Sequence, residues 1–158
     1  APDYERAASG VARLAPAFPG RTVFTRYVAP ENPQGAWGDY FDVWPFALVP
    51  SDDELYALDP RFANAGPVET RKTFGKWDAA LADAIGGASE MVLAGVSTDC
   101  CVLSTALAAA DAGIRVRVVA DACAAPTAAD HERALTTMEM YAPLIELTTV
   151  DEILTALH

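Results

Sequence analysis

Histidine and cysteine are scarce in this chain, two and three residues among 158, and each scarcity excludes something. Three cysteines, two of them adjacent at Cys100 and Cys101, cannot make a paired disulfide framework. Besides that pair, Cys123, His131 and His158 do not fall at metal-ligand spacing, so no metal and no cofactor is expected. Basic residues are also few: 11 against 22 acidic, a net charge of -11 that repels a phosphate backbone, so nucleic acid is not an expected partner. Apolar runs are short, well under the ~20 residues a membrane helix needs, and no basic-then-apolar signal segment opens the chain, which makes a reducing cytoplasm the expected location. Neither a Gly-x-Gly-x-x-Gly run nor a Gly-x-x-x-x-Gly-Lys loop is present to cradle phosphates, which weakens a nucleotide-binding reading. What remains is a chain that is 52% hydrophobic, too apolar for disorder, and of a length expected to fold as one domain over residues 1–158.

Along the chain, apolar recurrence at Ala7, Val11 and Leu14 predicts a helix capped at Asp3 and running to about Ala15. "TVFTRYV" (Thr22 to Val28) reads as a strand. Ala29 to Pro50 holds four prolines and shows neither helical nor strand period, so a long functional loop is expected there. A short helix capped at Ser51, a strand at Val68 to Lys72 and a helix from Lys76 to Ile85 follow. "MVLAGV" (Met91 to Val96) is a near-continuous apolar run of the kind buried on both faces of a sheet. After it come a helix over Asp99 to Ala112, a strand at "RVRVVAD", a helix at "TAADHERALTTMEMY", a strand at "LIELTT" and a helix from Val150 to Leu157. Strands alternating with helices imply α/β architecture with a mostly parallel, Rossmann-like sheet covered on both faces. Ligands then bind beyond the carboxyl ends of the strands, where Arg26 and Tyr27, Arg71 to Thr73, Ser97 to Cys101 and Asp121 to Ala124 are expected.

The two adjacent thiols should differ, because neighbouring helical residues point about 100° apart and so should not share an environment. Helical steps from Cys100 reach Leu103, Leu107 and Ala110, a bulky stripe that reads as packing. Steps from Cys101 reach the smaller Thr105, Ala108 and Ala112. In the first turn of a helix, unpaired N–H groups and the helix dipole favour an anion, which makes Cys101 the better nucleophile. Against that stands the plain role of cysteine as a small apolar filler.

"GVSTDCCVLSTALAAADAGIRVRVVADACA", Gly95 to Ala124, closely resembles the nucleophile segment of the isochorismatase-like cysteine hydrolases, and a looser likeness runs through "TVFTRYV", "ELYALDPRF" and "HERAL". The resemblance places the family's nucleophile on Cys101. It implies a three-layer α/β sandwich and a Cys, Lys, Asp triad. It also implies an oxyanion hole from backbone N–H groups of Ser97, Thr98 and Cys101, with a cis peptide just before Ser97. The family's aspartate belongs to a first, central strand that would precede the helix at Asp3. The expectation is therefore a sheet lacking that strand, with two unpaired inner edges. For the lysine, ungapped spacing to Phe74, Gly75 and Trp77 puts Arg71 in the family slot, while Lys72 reaches it with a one-residue deletion. Lys72 is favoured because an ammonium's pKa shifts with burial whereas a guanidinium stays charged.

Asp121 and His131 also match the family pattern and are read as structural, a strand-end cap and an early helical turn. Zinc-dependent nicotinamidases carry histidines ahead of the lysine, and here none occurs before His131, which disfavours that substrate class. Tyr27, Trp37, Trp44, Phe74 and Trp77 are candidate pocket residues. The resulting expectation is a metal-independent cysteine hydrolase that cleaves a C–N bond of a small amide, carbamoyl or ureido compound through a thioester. A homodimer or larger homo-oligomer is expected. The alternative is a non-catalytic binding or scaffold protein on the same fold.

Overall fold

The computed structural model describes residues 2–157; His158 lies outside them. In chain order the elements are α1 (Pro2–Leu14), β1 (Phe24–Tyr27), α2 (Ala36–Val43), β2 (Val68–Arg71), α3 (Ala79–Ala84), β3 (Glu90–Val96), α4 (Leu103–Asp111), β4 (Arg115–Ala124), α5 (Ala128–Glu139), β5 (Ile145–Thr148) and α6 (Val150–Ala156). The chain divides into two compact units, one from Ala1–Thr22 with Phe74–His158 and the other from Val23–Thr73. The α/β class with parallel strands holds, but the strands fall into two sheets, β1-β2 and β3-β4-β5.

In the larger unit β4 is central, and its sequence shows why. "RVRVVADACA" is rich in β-branched and small residues, and Val116, Val118, Val119, Ala122 and Cys123 are all fully buried. Val116, Val118 and Cys123 join Ala106 and Ala109 of α4 and Leu135 and Met138 of α5 in one core cluster. Val119 and Ala122 join Leu14 of α1 with Val150 and Ile153 of α6 in another. Helices therefore cover this sheet on both faces. The helix α1 sits close on β4: Arg6 donates to the carbonyls of Asp121 (3.1 Å) and Cys123 (3.2 Å), and a Cβ built on Gly10 would lie 2.9 Å from the Ala122 Cβ and 3.2 Å from its Cα. Gly10→Ala is expected to destabilise the protein, because overpacking of about 1–3 kcal/mol exceeds the ~1 kcal/mol that alanine gains in a helix. A lower Tm by calorimetry checks this; an unchanged or higher Tm would refute it.

Several expectations shift. Asp3 lies inside the first turn of α1, not ahead of it. The stretch from Ala29 to Pro50 is not a plain loop, since α2 occupies its middle and a short 3-10 turn follows at Pro45–Ala47. The missed signal is Trp37, Tyr40, Phe41 and Trp44, an i, i+3, i+4, i+7 set partly masked by prolines. Near Ser51 the structure has a 3-10 turn, Glu54–Tyr56, whose cap is Asp53 (Oδ1 accepting from Leu55 N–H at 2.9 Å). Likewise α3 is capped by Asp78, whose Oδ1 accepts from Leu81 N–H at 2.8 Å, so Lys76 precedes the helix. β4 runs to Ala124, three residues beyond the expected Asp121.

In the smaller unit, α2 turns its rings into a cluster with Val28, Ala29, Ala47 and Tyr56. Trp37 lies 6.1 Å from Tyr27, 5.4 Å from Tyr40 and 6.1 Å from Phe41, ring centre to ring centre. The Tyr56 hydroxyl donates to Ala47 O. Among the described residues no helix is long and apolar enough to cross a membrane.

Candidate active site

β3 ends at Val96, the Val96–Ser97 peptide is cis, and the chain then winds into a π-helical turn over Thr98–Val102 before α4. The resemblance implied that cis bond; the π turn was not foreseen. Val102 N–H donates to Ser97 O (3.1 Å), an i to i+5 bond, and Cys100 N–H donates to the same oxygen (3.2 Å). A turn closed by i to i+5 bonds is wider than an α-helical one, so successive side chains diverge by less than the α-helical angle. Cys100 and Cys101, expected to differ in environment, both lie in this turn. Both are half-buried and free of disulfide bonding.

The electrostatics separate the two sulfurs. The Cys101 thiol is lowered to about 6, first by the hydrogen bond from Cys100; burial opposes this, and the Lys76 charge, the Ser97 N–H and a hydrogen bond from Lys76 add to it. Cys100 is pushed up, first as the donor in that bond and then by burial and the charges of Cys101 and Asp99. Cys123, fully buried on β4, is pushed up to about 12 by burial. The direction of these shifts favours Cys101 as the thiolate near neutral pH.

Lys76, which the sequence reading places in a helix and not in the site, is the cation whose charge bears on the Cys101 thiol. It is 4% exposed; its Nζ donates to Phe74 O and its backbone N–H to the buried Thr105 Oγ1 of α4 (3.0 Å). The segment reaches α4 this closely because residue 75 is glycine: a Cβ there would meet the Ser104 Cβ at 3.3 Å. A signal existed, since a lysine set between apolar and aromatic residues in "FGKW" must either reach solvent or find a buried partner.

The structure places the other expected residues as follows. Arg71 and Lys72 belong to the smaller unit, where Arg71 ends β2 and pairs with Glu69 at 3.3 Å. Tyr27 and Trp37 are in the ring cluster of that unit, while Trp44 is 48% exposed and set against Phe46 at 6.3 Å. Trp77 packs on the core around β4 and α4. Ser97 directs its N–H at the Cys101 sulfur and its hydroxyl at Asp99, and the Thr98 side chain is fully buried. Thr98 Oγ1 shares a 2.7 Å hydrogen bond with Nδ1 of His131, so the histidine ties α5 to the nucleophile turn. Asp121 caps a helix and not its own strand: its Oδ1 accepts from Val150 N–H (2.9 Å) at the start of α6. A cavity of about 230 Å³ opens at the carboxyl end of β4, lined by Asp3, Arg6, Thr127, His131 and Glu132 among others. Cys101 does not line it. Among the described residues no three His, Cys, Asp or Glu side chains are grouped to hold a metal ion.

The isochorismatase domain model matches residues 1–152. The chain belongs to the isochorismatase family. This isochorismatase domain is similar in fold to an isochorismatase-like hydrolase from Alkaliphilus metalliredigens, at 21% identity and a TM-score of 0.81 over 100% of this chain and 88% of that one. It is similar too to a cysteine hydrolase from Pseudomonas syringae pv. phaseolicola 1448A, at 17% identity and a TM-score of 0.80 over 98% and 81% of the two chains. A MAR1 ribonuclease from Caenorhabditis elegans shares the fold at 19% identity and a TM-score of 0.74, over 98% and 71%. No curated protein sequence matches the chain. Family membership supports hydrolase function in general, acting on a small molecule.

Proposed function

We propose that this isochorismatase domain is a metal-independent cysteine hydrolase that cleaves the C–N bond of a small amide, carbamoyl or ureido compound. The observation that carries the reading is the Cys101 thiol, held at about 6 with Lys76 as its cation. A thiol lowered in this way carries thiolate near neutral pH, and the thiolate is the nucleophile. Cys101 Sγ attacks the carbonyl carbon, the tetrahedral oxyanion collapses, the C–N bond breaks and the nitrogen leaves with a proton. Water then hydrolyses the thioester, returning the thiol and a carboxylic or carbamic acid.

The role that sequence spacing gave to Arg71 or Lys72 passes to Lys76 in this scheme, because Lys76 is buried beside the sulfur whose charge it must offset. Oxyanion donors are sought among the backbone N–H groups of Thr98 and Cys101 in the wide turn. Ser97 is the weaker candidate of the original three, as its N–H serves the sulfur itself.

The test is chemical trapping. Incubation with a panel of small amides, carbamoyl and ureido compounds, followed by acid quench and peptide mass spectrometry, is expected to leave an acyl group on Cys101 with at least one substrate that turns over. Turnover with no adduct on Cys101 across the panel would count against the thioester route.

A further inference from the structure

We propose that His131 is a positioning residue: through its hydrogen bond to Thr98 it fixes the backbone of the turn that carries Cys101, and with it the donors that meet a developing oxyanion. The proposal deepens the reading above and rests on Cys101 being the reactive sulfur. The contact is direct, Nδ1 of His131 to Thr98 Oγ1 at 2.7 Å. Thr98 is fully buried, and among the described residues its hydroxyl has no other partner. A buried hydroxyl needs an acceptor for its proton. The Thr98 O–H therefore donates, Nδ1 accepts, and the ring carries its own proton on Nε2.

The remaining bonds of the turn are local. The Ser97 hydroxyl donates to Asp99, and Ser97 O takes the N–H groups of Cys100 and Val102. Such bonds set the shape of the turn and not its place. The Thr98–His131 bond instead joins residues 33 apart in the chain. Its anchor is α5, a 12-residue helix whose Leu135 and Met138 are packed in the core around β4. Thr98 is thus held from outside by a rigid element. It also opens the turn, where backbone N–H groups lack an intrahelical acceptor, so its N–H is able to serve an oxyanion while those of Cys100 and Val102 are spent. A donor of that kind works by being fixed in place before the charge develops. A threonine whose side chain is released no longer holds its own N–H to one position.

The experiment compares two reactions of the same sulfur near pH 7. Acylation by p-nitrophenyl acetate forms the S–C bond at a carbonyl carbon, passes through a tetrahedral oxyanion and expels p-nitrophenolate. Capture by iodoacetamide forms the S–C bond at a saturated carbon, expels iodide and develops no oxyanion. Both need thiolate and access, so the ratio of their rates isolates the oxyanion donors. Single-turnover rates are measured in the wild-type protein, His131→Ala, His131→Asn and Thr98→Val, with the modified residue located by fragment masses. The ratio of acylation to capture is expected to fall about tenfold or more in His131→Ala and in Thr98→Val. Combining the two should lower it no further, since both remove one bond. His131→Asn, whose amide oxygen accepts where Nδ1 does, is expected to recover part of the ratio. An unchanged ratio in His131→Ala overturns the proposal, also where both rates fall together as general loosening would make them, and so does an asparagine variant no better than alanine. Should His131→Ala fail to fold by circular dichroism, His131→Asn against Thr98→Val still decides: a ratio no higher in asparagine overturns the proposal. If iodoacetamide captures Cys101 of the wild-type protein but p-nitrophenyl acetate leaves no acetyl group there, the hydrolase reading falls and takes the proposal with it. Wild-type acetylation with an unmoved ratio in the variants ends the proposal alone.

Discussion

Cys101→Ala is expected to lower kcat/KM by about 10⁴-fold or more, the scale on which removing a covalent nucleophile acts. It is also expected to abolish labelling by iodoacetamide near pH 7. The second effect follows from the other two thiols. Cys123 is fully buried and pushed up to about 12, so it offers neither access nor thiolate. Cys100 is still held up by burial and the Asp99 charge in this variant, which leaves it mostly protonated at pH 7. Steady-state kinetics and intact-mass labelling check both effects together. Hydrolysis at the wild-type rate in this variant would end the cysteine mechanism, whatever the labelling showed.

The second large effect is expected at Lys76. In Lys76→Met the apolar length of the side chain is kept and the charge is removed from a position only 4% exposed, while the backbone N–H bond to Thr105 is unaffected. The sign is fixed by the charge of the species concerned. A thiolate is an anion, a nearby cation lowers its pKa, and losing the cation raises it. The midpoint of Cys101 capture should move upward from about 6 by about 1–3 pH units. At pH 7 kcat/KM should fall by about 2–100-fold, as the thiolate fraction drops. Part of that loss should return as the pH is raised to about 9, because hydroxide restores the thiolate that the lysine no longer favours. Arg71→Met and Lys72→Met form the comparison, since sequence spacing points to them. If either shifts the capture midpoint and Lys76→Met does not, the cation has been misassigned.

How much of this was legible in the residues depends on which physical effect decides each feature. Choosing Cys101 over Cys100 needed only the helix-start position and the neighbouring stripe, and the electrostatics of the turn point to the same sulfur. The buried strands were legible for a similar reason: β-branched and apolar runs such as "MVLAGV" and "RVRVV" suit a sheet covered on both faces and little else. α2 was missed because prolines and glycines in the segment hid its four-ring helical period. Capping residues at Asp53 and Asp78 were displaced by a few positions because several Ser and Asp residues compete there, and propensity alone does not rank them. Lys76, the cation proposed for the site, was not singled out because its burial comes from a packing contact with α4 beside glycine at position 75, and not from any spacing along the strand.

By itself the sequence determined the α/β class, the parallel strands and the family, and it singled out Cys101 as the candidate nucleophile, because each rests on short-range periodicity or on a dense local motif. Tertiary structure alone decided that Lys76 is buried against α4 and that its charge bears on Cys101. Both depend on residues brought together from separate elements, and neither is encoded at a fixed spacing along the chain.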